Sequence, residues 1–535
     1  MTASAGDNEA TEVEATDLEA PGGPASMGLP AGAPGMSATG EPEPELTLGR
    51  PRLSSDLVVY GLGEAFVKAV AFLTLPIYTR IFTPAEYGEL SLAITVVGLI
   101  GTVLALGGDS AYARFFFEAK TRLARRALGT TWIGFLILWS TLVALSCVVA
   151  ARPLSVLVFG DDRGTLLIIA GLIAAPLTQA NTMLGQVLRN EFRAIPFTLL
   201  NLATVALTVS LGVTFVVGFQ LGPLGVLIGT FVAQLAMLPF RAWTARDAFG
   251  RQVDLSLLRR LLAFGIPLVP TSLAFWVFLT SDRILLGRLS TLDQLGLYSV
   301  AVSLVGLANV AIAALGQAWT PHLIRMFEEN RDAAARFVGR MLVYSVAGFG
   351  FLAVAFTAFA PEVLDVLSGE GFHGAAAAVG PLALGMVAFA SNQMTAAGIS
   401  LMKRTSYLAL HAWIAAVINV ALNFVLDPPF GMLGAAWATA IAYAYLSLAF
   451  LATSQRLWPI VIPTGRLLVA VALVIAYTVA ASALPSLGLL EAIVVKGAFA
   501  ASFVVLLFVG RVIGREEVEL GRQLLRTALR RPERR

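Results

Sequence analysis

Apolar runs of about twenty residues follow one another along most of the chain, separated by gaps too short to hold a domain. A helix advances ~1.5 Å per residue and satisfies its own backbone hydrogen bonds, so about 20 apolar residues cross the ~30 Å hydrocarbon layer of a membrane. A chain patterned in this way reads as an all-α bundle of membrane-spanning helices. Fourteen transmembrane helices are expected, near 57–78, 89–108, 129–150, 165–188, 196–219, 222–243, 261–282, 297–319, 341–361, 375–401, 407–427, 430–452, 466–485 and 488–510. Charged residues make up only 13% of the 535, against roughly 25% in soluble domains. That excludes a water-soluble protein and a nucleic-acid binder. Cys147 is the single cysteine, so no internal disulfide can form, and neither a metal nor a cofactor is expected.

The gaps test the count. Membrane proteins keep Lys and Arg in cytoplasmic connections. If residue 56 is cytoplasmic, the cytoplasmic gaps hold 20 Lys and Arg residues, whereas the outer gaps hold five: Arg80, Arg152, Arg163, Arg283 and Arg288. One misplaced helix would scramble that alternation. Both termini are therefore expected in the cytoplasm. Trp132, Trp243 and Trp319 fall at the proposed cytoplasmic edges, where indole rings favour the interface. Residues 1–49 carry nine acidic residues and neither Lys nor Arg, and read as a disordered tail because they have too little apolar surface to offset ordering entropy. Residues 511–535 carry eight arginines. They read as an amphipathic helix on anionic membrane lipids or as a solvated tail that enforces topology.

Two stretches align at an offset of 208: RIFTPAEYGELS at 80–91 and RLSTLDQLGLYS at 288–299. Arg80 matches Arg288, Thr83 matches Thr291, Gly88 matches Gly296 and Ser91 matches Ser299. Ala105-Leu106-Gly107 matches Ala314-Leu315-Gly316 at offset 209, and GPLGVLIGT at 222–230 matches GMLGAAWAT at 431–439 at the same offset. The first helix thereby maps onto the seventh and the sixth onto the twelfth. An even number of crossings returns the chain to the same side, so the two six-helix lobes are parallel copies about an axis along the membrane normal. The expected organisation is an acidic cytoplasmic tail at 1–52, an N-terminal lobe at 53–244, a cytoplasmic linker at 245–260, a C-terminal lobe at 261–454, an extra helix pair at 455–510 and a basic cytoplasmic tail at 511–535.

TRIFTPAEYGELSL after the first helix, ALGGDSAYARFFFE after the second and SDRILLGRLSTLDQLGLYSVA around the end of the seventh resemble the polysaccharide-biosynthesis transporters. These are the O-antigen and exopolysaccharide lipid flippases of the multidrug/oligosaccharidyl-lipid/polysaccharide exporter superfamily. The resemblance covers about residues 55–510. It implies a bacterial inner-membrane flippase that moves an undecaprenyl-pyrophosphate-linked oligosaccharide from the cytoplasmic to the outer leaflet. Its implied partners are the lipid-linked oligosaccharide, membrane lipids, and the glycosyltransferases and glycan polymerase of the same route.

An anionic head crossing hydrocarbon unaided would leave charges and hydrogen-bonding groups unsatisfied. A wet cavity with a few cations, amides and hydroxyls lowers that barrier, and ionisable groups inside helices are the first candidates. Lys68 lies in the middle of the first helix, with Glu64 one turn earlier as a neutralising partner. Arg283 follows Asp282, so a capping or interface role competes with substrate contact. Arg80 and Arg288 occupy equivalent outer positions, either guiding the phosphates or anchoring the helices, and Arg114 either meets the head group or sets topology. Lys496, five residues after Glu491, lies in the extra pair. Pro267 and Pro270 indicate a bend in the seventh helix. The chain has no GxxxxGK[ST] loop, so transport would draw on the membrane potential or on H⁺ or Na⁺, with Glu64, Asp109 and Asp282 as carriers. The alternatives are a cation-coupled multidrug exporter, for which Glu64 would serve, and a membrane glycan polymerase or ligase, against which the short outer gaps weigh. Reporter fusions in the 245–254 connection are expected to stay cytoplasmic and fusions at 160–164 to be exported; the reverse would overturn the orientation.

Overall fold

The computed structural model describes residues 72–512 together with 59, 61, 63 and 66–70. The two tails up to residue 58 and from 513 onward, and Glu64, lie outside the described residues. Residues 66–70 and helix α1 (Thr74–Ile81) occupy part of the first expected span. Thirteen further helices are each long and apolar enough to cross a membrane. They are α2 (Pro84–Glu118), α3 (Arg122–Val149), α4 (Thr165–Asn190), α5 (Ala194–Gly218), α6 (Gly222–Thr244), α7 (Leu255–Leu289) and α8 (Leu292–Glu329). After these come α9 (Arg331–Leu367), α10 (Glu370–Leu401), α11 (Ser406–Phe430), α12 (Met432–Leu457), α13 (Thr464–Ser482) and α14 (Leu489–Val509). Several outrun their apolar windows, because polar turns continue a helix into the interfacial zone once the hydrocarbon is crossed. The expected linker at 245–260 is thus helical from Leu255, where Asp254 caps α7 by accepting from the amides of Ser256 and Leu257.

Helices α3 to α6 pack on one another and on α2, whereas α9 to α12 pack on one another and on α7 and α8. The seam between these two groups is α2 against α7 and α8. Since successive helices reverse direction, the α2–α3, α4–α5, α6–α7 and α8–α9 connections share one face with α10–α11 and α12–α13. This is the basic face; the other is the distal face.

The repeated sequence is explained by what its residues do at the distal end of the seam. Thr83 and Thr291 are the N-caps of α2 and α8, their hydroxyls accepting from the amides of Glu86 and Gln294. Beyond the caps the two helices cross almost backbone to backbone. A Cβ on Gly88 would sit 2.1 Å from the Leu292 carbonyl oxygen, and a Cβ on Gly296 would sit 1.9 Å from that of Pro84. One turn further, the Ser91 and Ser299 hydroxyls are 2.7 Å apart. Equivalent residues touching each other mark the pseudo-two-fold axis between the copies. Arg80 and Arg288 complete the arrangement. Arg80 donates to the Val366 carbonyl at 2.8 Å beside Gly369, while Arg288 Nη1 would lie 2.8 Å from a Cβ on Gly160. Gly160 and Gly369 are themselves 209 residues apart, in the α3–α4 and α9–α10 connections. Each copy therefore reaches across to the same place on the other.

Other parts of the repeat are less regular. The 222–230 and 431–439 match sets the starts of α6 and α12 in register. The Ala105–Gly107 match does not carry a shared bend: α2 breaks at Leu106–Gly107, whereas α8 breaks at Gly306–Leu307. α7 is interrupted by a 3₁₀ turn at Ile266–Leu268, which contains Pro267 and ends just before Pro270, where a bend is expected. Trp132 and Trp319 are buried, stacking on Phe135 and Phe337. Only Trp243 of the three is exposed, with Arg246 over its ring.

The pair α13–α14 leans on α9. Lys496 donates to both carboxylate oxygens of Glu362, at 2.6 and 2.8 Å, and the Leu487 amide donates to the first of them. Both partners are buried, so Lys496 is answered by an acid of the C-terminal lobe rather than by Glu491. Two stability outcomes follow. Gly296→Ala is expected to cost about 1–3 kcal/mol through overpacking, read as a lower melting temperature of the solubilised protein; an unchanged melt would disprove the close crossing. Lys496→Met is expected to cost about 3–5 kcal/mol by stranding a buried carboxylate, most of it recovered when Glu362→Gln is added.

Candidate functional site

A cavity of about 650 Å³ opens among α4, α5 and α6, toward the basic face, with Gly63 and Val67 ahead of α1 and Gln317 of α8 on its border. Its lining is polar for a membrane interior. Asn181, Gln186 and Arg189 come from α4, Asn201 and Thr204 from α5, and Gln234 and Arg241 from α6. No carboxylate stands among the described lining residues.

Arg241 is the central group. It lies one turn from the C-terminus of α6, where the helix dipole favours a cation, and it is only 3% exposed. Its Nη2 donates to Asn201 Oδ1 at 2.7 Å and to Thr204 Oγ1 at 2.9 Å, and its Nη1 donates to the Asn181 carbonyl at 3.3 Å. Its Nε is left without a hydrogen-bond partner. Gly185 lies beside it, where a Cβ would come within 3.0 Å of Nη1. Asn181 Nδ2 donates to the Gln234 carbonyl at 2.9 Å, which leaves Asn181 Oδ1, Gln234 Oε1 and the Thr198 hydroxyl unpaired. Buried polar atoms are rarely left so. The cavity is thus a fixed cation held by neutral dipoles, surrounded by further unspent hydrogen-bonding capacity.

The other lobe carries a buried acidic network toward the distal face. Asp282 of α7 accepts from the hydroxyl of Tyr298 on α8 and, at 3.4 Å, from Thr439 on α12. Its other oxygen accepts from the Arg283 amide. Asn419 joins the network through Ser281 and Thr439. Asn423 and Asp427 continue it along α11 at four-residue spacing. Asp427 is fully buried, and neither of its carboxylate oxygens has a hydrogen-bond partner. A bare buried carboxylate is strongly unfavourable, so this position wants a proton or a small cation.

The seven residues singled out in the sequence do not converge on one place. Lys68 is half-buried on the described helical stretch at 66–70, and Glu64 lies outside the described residues. Arg80 and Arg288 bridge the lobes at the distal face. Arg114 is exposed at the end of α2, pairing with Glu118 at 3.1 Å and lying over the Phe264 ring of α7. Asp282 points into the C-terminal lobe, and Arg283 faces the seam. Asp109, the third carrier considered, is exposed. Two candidate groups, Arg241 and Asp427, were not singled out by the sequence. Arg241 had been counted among the topology-setting arginines. Asp427 closed an apolar run, although Asn419, Asn423 and Asp427 at i, i+4, i+8 already placed three polar groups on one helical face.

Among the described residues the fold is thus two helical lobes related by an internal repeat, with a polar cavity beside a closed seam. Solved structures with this fold include a lipid II flippase MurJ in an inward closed conformation, with a TM-score of 0.67 at 12% identity, covering 85% of this chain and 100% of that one. An inward-facing multidrug resistance MATE family transporter of the MOP superfamily matches with a TM-score of 0.56 at 16% identity, covering 75% and 97%. Residues 53–327 match the polysaccharide biosynthesis protein family, and the chain belongs to it. Two proteins of Haemophilus influenzae are also similar. One is the Lsg locus putative protein 1, 24% identical over 290 residues, covering 52% of this chain and 68% of its own length. The other is an uncharacterized membrane protein, 23% identical over 285 residues, covering 52% and 67%.

Proposed function

We propose that this protein is a flippase that carries a lipid-linked oligosaccharide, joined to its polyprenyl chain through pyrophosphate, from the cytoplasmic to the outer leaflet of the bacterial inner membrane. It is a transporter and not an enzyme. The basic face is cytoplasmic and so are both termini. The observation that carries the reading is the cavity on that face: Arg241 and Arg189 with a wall of amides and hydroxyls, and no acid among its described residues. Such a site favours an anionic, hydroxyl-rich head and disfavours a cationic drug. Membership of the polysaccharide biosynthesis family supports the same substrate class.

In this conformation the cavity faces the cytoplasm and the distal seam is shut. A head group would dock with a phosphate oxygen against the Arg241 guanidinium and sugar hydroxyls against Asn181, Gln186 and Gln234. Its polyprenyl tail stays in lipid. Separation of the lobes at the Gly88–Gly296 crossing would then expose the head outward. The inside-negative potential assists, because each net negative charge moved outward gains about 2.3 kcal/mol per 100 mV. Asp282 and Asp427 supply a coupling site for a proton or Na⁺ in the opposite lobe.

Reconstituted protein is expected to move a fluorescent undecaprenyl-pyrophosphate-linked disaccharide across vesicles. Arg241→Gln should slow this at least about tenfold, the worth of one charged hydrogen bond, with partial recovery in Arg241→Lys. Asp427→Asn should abolish the response to an imposed Na⁺ or H⁺ gradient while the protein still binds substrate. Translocation indifferent to Arg241→Gln, or unchanged surface polysaccharide in cells lacking the chain, would refute the assignment.

A further inference from the structure

A second cavity, of about 360 Å³, lies in the seam itself, toward the distal face. Three helices wall it, and they come from both lobes. α2 contributes Tyr87 and Thr95, α7 contributes Trp276, Thr280 and Arg283, and α8 contributes Ser303. Ser91 and Ser299, bonded to each other on the pseudo-two-fold axis, form part of the same wall. Among its described lining residues Arg283 is the only charged one, and none is a carboxylate. The adjacent acid forms no ion pair with it. The Asp282 carboxylate is turned into the C-terminal lobe, where Tyr298, Thr439 and the Arg283 amide engage both its oxygens. The guanidinium thus stands in a chamber of hydroxyls and two aromatic rings, with the Trp276 indole at the level of Gly98, deeper in the membrane. A cation, hydroxyl donors and aromatic faces in one small space are the chemistry that recognises a sugar phosphate.

We propose that this seam chamber is a second anion station, a release-side site for the phosphate-bearing head of the same lipid-linked substrate. It rests on the flippase reading and adds to it an order of events. Arg241 receives the head while the basic face is open. Arg283 takes it when the lobes part at the distal face, because the contacts that close the chamber are the Ser91–Ser299 bond and the Gly88–Gly296 crossing. Closure of the seam after release would empty the station and bar return. The chamber is smaller than the inner cavity, so it accepts the phosphates and the first sugar rather than the whole glycan.

The test uses the full-length protein with Cys147→Ser, titrated calorimetrically with farnesyl pyrophosphate, and with farnesol as the tail-only control. Two pyrophosphate-dependent binding events are expected, one weakened about tenfold or more by Arg241→Gln and the other by Arg283→Gln. Arg283→Lys, which keeps the charge, should retain part of the second event and guards against misfolding as the cause. Adding Ser91→Cys and Ser299→Cys and oxidising the pair should abolish the Arg283-dependent event alone, and a reductant should restore it. The proposal is overturned if Arg283→Gln leaves both events unchanged, or if the Arg283-dependent event survives in the locked seam. If Arg241→Gln changes neither event while Arg283→Gln still weakens one, the inner docking site fails and the seam station stands, so the two readings fail separately.

Discussion

The structure depends on one crossing. Helices α2 and α8 approach so closely at Gly88 and Gly296 that neither position has room for a side chain. Everything that makes the molecule a two-lobed machine is arranged around that contact: caps just outside it, a serine pair just inside it, and an arginine from each copy reaching over the top. The contact is tight but weakly bonded. It contains no ion pair, and a single neutral hydroxyl bond of about 0.5–1.5 kcal/mol spans the axis. Close packing of small surfaces gives a definite closed geometry without a deep energy well. That combination suits the opening and closing that the proposed transport cycle requires of this contact.

The two lobes share a fold but have divided their chemistry. The N-terminal lobe holds a desolvated arginine on neutral dipoles, and the C-terminal lobe holds carboxylates on hydroxyls and amides. Opposite signs in separate lobes prevent the fixed charges from neutralising one another and leave each site open to a mobile ligand. Adjacent residues on α7 join the two chemistries. Asp282 looks into its own lobe while Arg283 looks into the seam, so a change in occupancy at the acid is one peptide unit away from the cation that faces the partner lobe. The 3₁₀ turn earlier in the same helix lets its two segments shift against each other.

Much of this was legible before any coordinates, and the reasons are specific. The spans were readable because hydrocarbon permits so few structures. The repeat was readable because the caps, the glycines and the serines of the crossing are constrained twice over, once by each copy. What those residues do was not readable: sequence places Arg80 and Arg288 at equivalent helix ends, but only the third dimension shows them gripping Val366 and the Gly160 turn. Arg241 was hidden by convention. An arginine near the end of an apolar run is ordinarily an interfacial anchor, and its burial depends on Asn201 and Thr204 from a different helix. Sequence sets Lys496 five residues after Glu491, whereas the acid it bonds, Glu362, lies 134 residues away.

The distal end of α9 carries two contacts of opposite character within one turn. Glu362 holds Lys496 inside the protein, where breaking the pair would strand two charges. Val366 offers a carbonyl to Arg80 in the open, where water can replace the bond at little cost. In the proposed cycle, the weaker line is the one between Arg80 and α9, and the stronger is the one between α9 and α14. The peripheral helix pair is thereby fastened to the C-terminal lobe by a buried ion pair, while the bond that joins Arg80 to α9 across the lobes lies at the surface.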